Sequence, residues 1–207
     1  MSHGSEASGF GPGPGAYREA TPAENNKLGI WVWLASDCAL FASLIATYVS
    51  LHTHTVGGPT AKQLFDLRIT VAATFVLLAS SMTMGFGLEA AQRGDYPGVL
   101  RWLFSTGGLG LVFVGMQVVE FTHYVQQGLT MQVSDFGASF FTLVGFHGLH
   151  VSFGVAWITS LLVYTLRKRR LDPAQVWRFE AASLYWYFVD VVWVVIFTVV
   201  YLMGKVG

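Results

Sequence analysis

From Phe136 to Leu166 the chain runs thirty-one residues without an aspartate, glutamate, lysine or arginine. A helix rises about 1.5 Å per residue, so this run exceeds the roughly 30 Å hydrocarbon core of a bilayer. Ile69–Leu88 and Trp102–Val119 are also free of charge. Leu28–Leu51 is interrupted only by Asp37, and Phe179–Met203 only by Glu180 and Asp190. These five runs predict five membrane-spanning helices, at about 27–52, 66–92, 96–126, 134–167 and 173–204. The runs are long and lack the short alternation of barrel strands. The expected fold class is therefore an all-α integral membrane bundle.

Composition agrees with that reading. Charged residues make up 12% of the chain and apolar residues 53%, with a mean hydropathy of +0.51. A soluble domain carries about 25% charged residues and would have too little polar surface at half that figure. Twelve basic residues balance twelve acidic ones, so no electrostatic footprint for nucleic acid is present. The single cysteine, Cys38, excludes an intrachain disulfide framework and a cysteine metal cluster.

The breaks between runs carry turn chemistry. Gly57-Gly58-Pro59 separates the first two helices, and Arg93-Gly94-Asp95 the next two, with Asp95 and Pro97 placed as a helix start. Gly128 and Ser134 bracket the third turn, and Asp172-Pro173 opens the last helix. Residues 1–26 hold five Gly, three Pro and no apolar run, and read as a disordered cytoplasmic tail without signal-peptide character. The helices form one membrane domain over 27–207.

Five crossings place Arg18, Lys27, Arg93, Arg101, Arg167, Lys168, Arg169, Arg170 and Arg178 on the side of the N-terminus. Only Lys62, Arg68 and Lys205 fall on the other side. Positive charge is retained in the cytoplasm, so the N-terminus is expected inside and the C-terminus outside.

Ionisable residues at membrane depth are costly and face protein or water. Here they are Asp37, Glu120, His123, His147, His150 and Asp190. Glu120 and His123 are three apart and share a helix face, as do His147 and His150. Asp190 is flanked by Trp186 and Trp193, whose indole N–H groups need acceptors. Glu120, His123, His147, Trp186, Asp190 and Trp193 thus form a candidate polar seam joining helices three, four and five. Such a seam glues helices together or carries chemistry, and spacing alone does not separate the two. Asp37 at its depth suits a proton-related role or a hydrogen bond to lipid or a partner. Arg167 begins a basic collar that snorkels to the interface or holds anionic lipid head groups. His52 and His54, like His147 and His150, lack the further ligands a metal site needs, and no metal site is assigned. His123 and His147 leave a bis-histidine haem, and hence a small membrane cytochrome b, as one alternative. Asp37 leaves a proton-coupled transporter as another.

The motifs themselves are familiar. Gly145-Phe-His-Gly-Leu-His-Val151 and Phe179-Glu-Ala-Ala-Ser-Leu-Tyr-Trp-Tyr-Phe-Val-Asp-Val-Val-Trp193 resemble signatures of subunit III of the haem–copper terminal oxidases. Trp33-Leu-Ala-Ser-Asp37 and Glu120-Phe121 fit as well, and the resemblance spans 27–204. It is to the short five-helix bacterial form, a multi-pass protein of the cell membrane. It implies an accessory chain with no catalytic residue and neither haem nor copper of its own. Those cofactors belong to the catalytic subunit I, which reduces oxygen to water and pumps protons. Subunit II and a small subunit IV are the other implied partners. The chain would steady subunit I and its proton uptake, and hold phospholipid near Asp37 and His150. Tyr187 stands where the family commonly has histidine, which puts a phenol into the seam. Val56-Gly-Gly-Pro-Thr-Ala-Lys-Gln-Leu-Phe65 and Tyr201-Leu-Met-Gly204 look more like quinol oxidases than cytochrome c oxidases, so quinol is the expected electron donor and cytochrome c the alternative.

Overall fold

The computed structural model describes residues 22–51, 67–128, 135–171 and 176–202. Five long helices cross it: α1 (Pro22–Leu51), α2 (Leu67–Arg93), α3 (Tyr96–Gln126), α4 (Asp135–Lys168) and α5 (Val176–Ile196). Each is long and apolar enough to span a membrane. There is no strand among the described residues. His52, His54, the Gly57-Gly58-Pro59 turn, Ser134 and the Asp172-Pro173 start lie outside the described residues.

The helix ends follow local chemistry. α1 begins at Pro22, five residues before the expected start at 27. Proline suits the first helical position, where an N–H would have no partner. The expected tail therefore gives up its last five residues, and the rest of it lies outside the described residues. Between α2 and α3, Gly94 turns the chain at φ +72°, a conformation that favours glycine. Asp95 then caps α3, its Oδ1 accepting from the Gly98 N–H at 3.2 Å.

α2 and α3 form the most closely packed antiparallel pair, as their short turn requires. α3 leans on α4, and α1 lies against α4 and α5. α5 is the hub, touching α1, α2 and α4. Its last turn, Phe197–Leu202, widens to π-helical spacing with Val200 and Tyr201 still buried. The core between the helices is aromatic: Phe113, Phe140, Trp186, Trp193 and Tyr201 are all buried. The outer faces are apolar too, with Phe104 71% and Phe75 68% exposed. Water would not tolerate that surface, whereas lipid tails match it.

Candidate functional site

Two features at membrane depth hold the polar side chains. The first is a seam along α5. Trp186 Nε1 donates to Ser80 Oγ at 3.1 Å, and Trp193 Nε1 donates to Thr74 Oγ1 at 2.9 Å. Both acceptors are on α2 and buried. The expected pairing of these indoles with Asp190 is therefore corrected. Each indole N–H is engaged by an α2 hydroxyl, so neither is left for the carboxylate on its own helix. Ser80 and Thr74 also bond their own backbone, to Leu77 O and Thr70 O, which fixes their hydroxyls for the indoles.

Trp186 is held from two further sides. A Cβ on Gly110 of α3 would come within 2.8 Å of its Cη2, and one on Gly154 of α4 within 2.8 Å of its Cζ3. The two glycines let α3 and α4 close on the ring. His147 is fully buried one layer away, its ring 4.9 Å from Trp193 and 6.0 Å from Phe113. Its Nε2 is 3.2 Å from the Val189 carbonyl, which ties α4 to α5. Gln117 ties α3 to α4 by donating to Val144 O at 2.9 Å.

Glu120 is part of the seam, but His123 is not. Glu120 Oε1 accepts from Thr70 on α2 at 2.5 Å and from Tyr124 at 2.6 Å. His123 points outward, where its Nε2 meets Gln127 Nε2 at 2.8 Å. A three-residue step turns the helix by about 300° and a four-residue step by about 400°, so either neighbour can share the face of Glu120. Burial selects the phenol and leaves the imidazole outside. His123 and His147 consequently do not face one cavity, and the bis-histidine geometry is not formed by this pair. Tyr187 extends to α2, where a Cβ on Gly85 would sit 3.1 Å from its hydroxyl.

The second feature lies where α1, α4 and α5 meet. Asp37 of α1 and His150 of α4 face each other, Oδ2 to Nε2, at 3.8 Å. His150 Nδ1–H donates to Phe146 O at 2.7 Å, which directs Nε2 at the carboxylate. The separation is beyond a direct hydrogen bond. Tyr185 OH donates to His150 O at 3.0 Å from α5. Trp33 stacks on Tyr185 at 5.2 Å, and Phe41 caps the imidazole at 4.9 Å. One turn away, Trp33, Phe153, Ala156, Trp157 and Ser160 line an open groove of about 430 Å³. Arg167 is not brought to this pair. It is seventeen residues from His150 along α4, about 25 Å, and is exposed at the helix end.

The profile of the family described as cytochrome c oxidase subunit III matches residues 16–205. This chain belongs to that family. It is 45% identical over 92% of its length to cytochrome c oxidase subunit 3 of Bacillus sp. PS3, covering 92% of that protein. It is 43% identical to quinol oxidase subunit 3 of Bacillus subtilis 168, over 88% of this chain and 89% of that one. It is 44% identical to the cytochrome bo(3) ubiquinol oxidase subunit 3 of Pseudomonas aeruginosa PAO1, over 87% and 86%. Family membership and the five spanning helices make it a multi-pass bacterial membrane protein. Its place is as one subunit of a multi-subunit terminal oxidase.

The seam ties α5 to α2 and α4, and α3 to α2 and α4, through hydrogen bonds that lipid cannot supply. The sequence reading missed Thr70, Thr74, Ser80, Gln117, Tyr124 and Tyr185. Thr70, Thr74, Ser80, Ser81 and Thr83 place five hydroxyls in the apolar helix α2, but α4 carries Ser and Thr just as densely, so the pattern did not single them out.

Proposed function

We propose that this chain is the non-redox accessory subunit III of a proton-pumping haem–copper terminal oxidase that takes electrons from quinol. The observation that carries this reading is the family match over 16–205, together with two relatives whose names specify quinol oxidases. In this reading the chain packs beside subunit I, with subunit II and a small subunit IV completing the complex. It steadies subunit I and its proton uptake during turnover. Its N-terminus faces the cytoplasm, which the nine-to-three bias of basic residues supports.

The facing of Asp37 and His150 beside an aromatic groove supports a phospholipid contact at α1 and α4. A flat aromatic wall accepts an acyl chain, and the paired polar groups accept a bond from lipid or water. Cytochrome c as donor is a second reading, favoured by the Bacillus sp. PS3 relative at 45% identity.

Deleting this chain from its native complex tests the role. The expected result is an unchanged reduced-minus-oxidised haem spectrum with activity that decays faster during turnover. Loss of haem bands from an otherwise intact complex would refute a non-redox role.

A further inference from the structure

Aromatic rings form a column down α5 that begins in the open groove and ends at a buried carboxylate. In the groove Trp33, 36% exposed, stacks on Tyr185 with ring centres 5.2 Å apart, and Trp157 lies 5.6 Å from the same phenol. Tyr185 and Trp186 both come within 3.2 Å of the Cβ position of Gly154. Trp193 follows two turns on, about 10 Å along the axis. Its ring centre is 6.2 Å from that of Tyr201. Phe140 then lies 6.2 Å from Tyr201 and 5.6 Å from Tyr124 of α3. Tyr185, Trp186, Trp193, Tyr201 and Tyr124 are each no more than 1% exposed, so the column is sealed once it leaves the groove. From Tyr185 to Tyr201 it runs about 24 Å, most of the hydrocarbon core.

The two ends of the column differ in where a proton can go. A phenol that loses an electron becomes a strong acid, and its radical persists only where a base takes the proton at once. At the groove end Tyr185 spends its O–H on the His150 carbonyl at 3.0 Å, which is no base, with Asp37 near but not on that hydrogen bond. In the middle the Trp186 and Trp193 N–H groups meet only the hydroxyls of Ser80 and Thr74. At the far end the Tyr124 O–H donates to Glu120 Oε1 at 2.6 Å, and the Tyr201 O–H donates to Glu120 as well. Thr70 adds a third donor at 2.5 Å. Three donors on one side chain suit an ionised carboxylate, which accepts only. Holding helices together would need no more than a neutral amide oxygen there, without the cost of a charge at membrane depth.

We propose that this column is a hole-transfer chain, which takes a one-electron oxidising equivalent from a lipid alkoxyl radical at the groove and settles it on Tyr124 or Tyr201 beside Glu120. The alkoxyl radical gains an electron from Trp33 and a proton from interfacial water, and leaves as an alcohol. Electron hops along the column then refill Trp33. The last electron comes from the phenol of Tyr124 or Tyr201, whose O–H bond breaks as its proton forms an O–H bond on Glu120. The products are an alcohol, a neutral phenoxyl radical and a protonated Glu120. The oxidising equivalent is thereby drawn away from the indoles at the lipid surface. This activity lies outside the haem–copper electron path and is the same for either electron donor; it requires only that the groove opens to the bilayer.

The test uses the assembled complex with its full chain in lipid nanodiscs, exposed to tert-butoxyl radical from photolysis of di-tert-butyl peroxide dissolved in the lipid. Freeze-quenched samples are read by electron paramagnetic resonance. The signal of interest is the tyrosyl component that is missing from a variant carrying both Tyr124→Phe and Tyr201→Phe. That component should be lost in Trp193→Phe, which keeps a ring but interrupts the column. It should also be lost in Glu120→Gln, which keeps an acceptor but takes no proton. In each variant, peptide mass spectrometry should show more kynurenine at Trp33. Either variant decides alone if the other fails to assemble. A tyrosyl component that persists in Trp193→Phe or in Glu120→Gln would overturn the proposal, and so would its absence from the unmodified complex.

Discussion

Placing one methyl group against Trp186 tests the packing at the centre of the bundle. In the structure Gly154 of α4 leaves its Cβ position 2.8 Å from Trp186 Cζ3, 2.9 Å from Cε3 and 3.2 Å from Tyr185 Cε1. Carbon atoms in good contact are about 3.5 Å apart, so Gly154→Ala asks the ring to retreat by roughly 0.7 Å. Retreat is blocked on two sides. The indole N–H is anchored to Ser80 at 3.1 Å, and the ring is buried between α3 and α4 with 1% of its surface exposed. Overpacking of a tight interior costs about 1–3 kcal/mol. For a chain of this size each kcal/mol moves the melting midpoint by about 2–4 °C, so a fall of roughly 5 °C is expected. The assay is thermal dissociation of the detergent-solubilised complex, followed by retention of this chain. In a Trp186→Leu background the same Gly154→Ala change should cost much less, because the indole's six-membered ring is gone and only the 3.2 Å approach to Tyr185 Cε1 remains. A melting midpoint unchanged by Gly154→Ala alone, or an equal loss in both backgrounds, would refute this account of the junction.

Three further outcomes follow from the hydrogen bonds. Thr74→Val should leave the Trp193 indole buried without its acceptor and destabilise the complex by about 1–3 kcal/mol in the same melt. Asp190→Ala should leave the near-ultraviolet circular dichroism of Trp186 and Trp193 unchanged, because both indoles donate to α2. Glu120→Leu removes the acceptor that Thr70 and Tyr124 share and should lower stability more than Glu120→Gln, whose amide oxygen still accepts. Asp37→Asn should shorten the active lifetime or reduce co-purified phospholipid by lipid analysis while leaving assembly intact. Equal lifetime and equal lipid would remove that residue's proposed role.

The number and order of the helices were legible because hydropathy over twenty residues is a strong signal, and α3 falls at the expected 96–126. The Asp95 cap was legible because capping is local: the acceptor and the N–H it serves are three residues apart. The tryptophan partners were not. Ser80 and Thr74 lie 106 and 119 residues from the indoles they serve, and a membrane serine that bonds its own backbone reads the same way in sequence. The inclusion of His123 failed for a related reason, since the apolar moment of a spanning helix is weak and barely distinguishes a buried face from a lipid face. The π turn at Phe197–Leu202 had no sequence signal at all. Asp37 and His150 were legible as ionisable residues at membrane depth, only the family resemblance joined them in one lipid site, and the structure brings them face to face.

The account's central claim is that this chain works as the third subunit of a haem–copper terminal oxidase. A tagged chain drawn from its native membrane in mild detergent, with partners identified by mass spectrometry, tests that most directly. The expected result is co-elution of a large haem–copper catalytic subunit and a smaller donor-side subunit lacking copper ligands, as a quinol oxidase requires. Copper ligands in that smaller subunit would move the donor to cytochrome c and leave the central claim standing. Elution of the chain alone would contradict it.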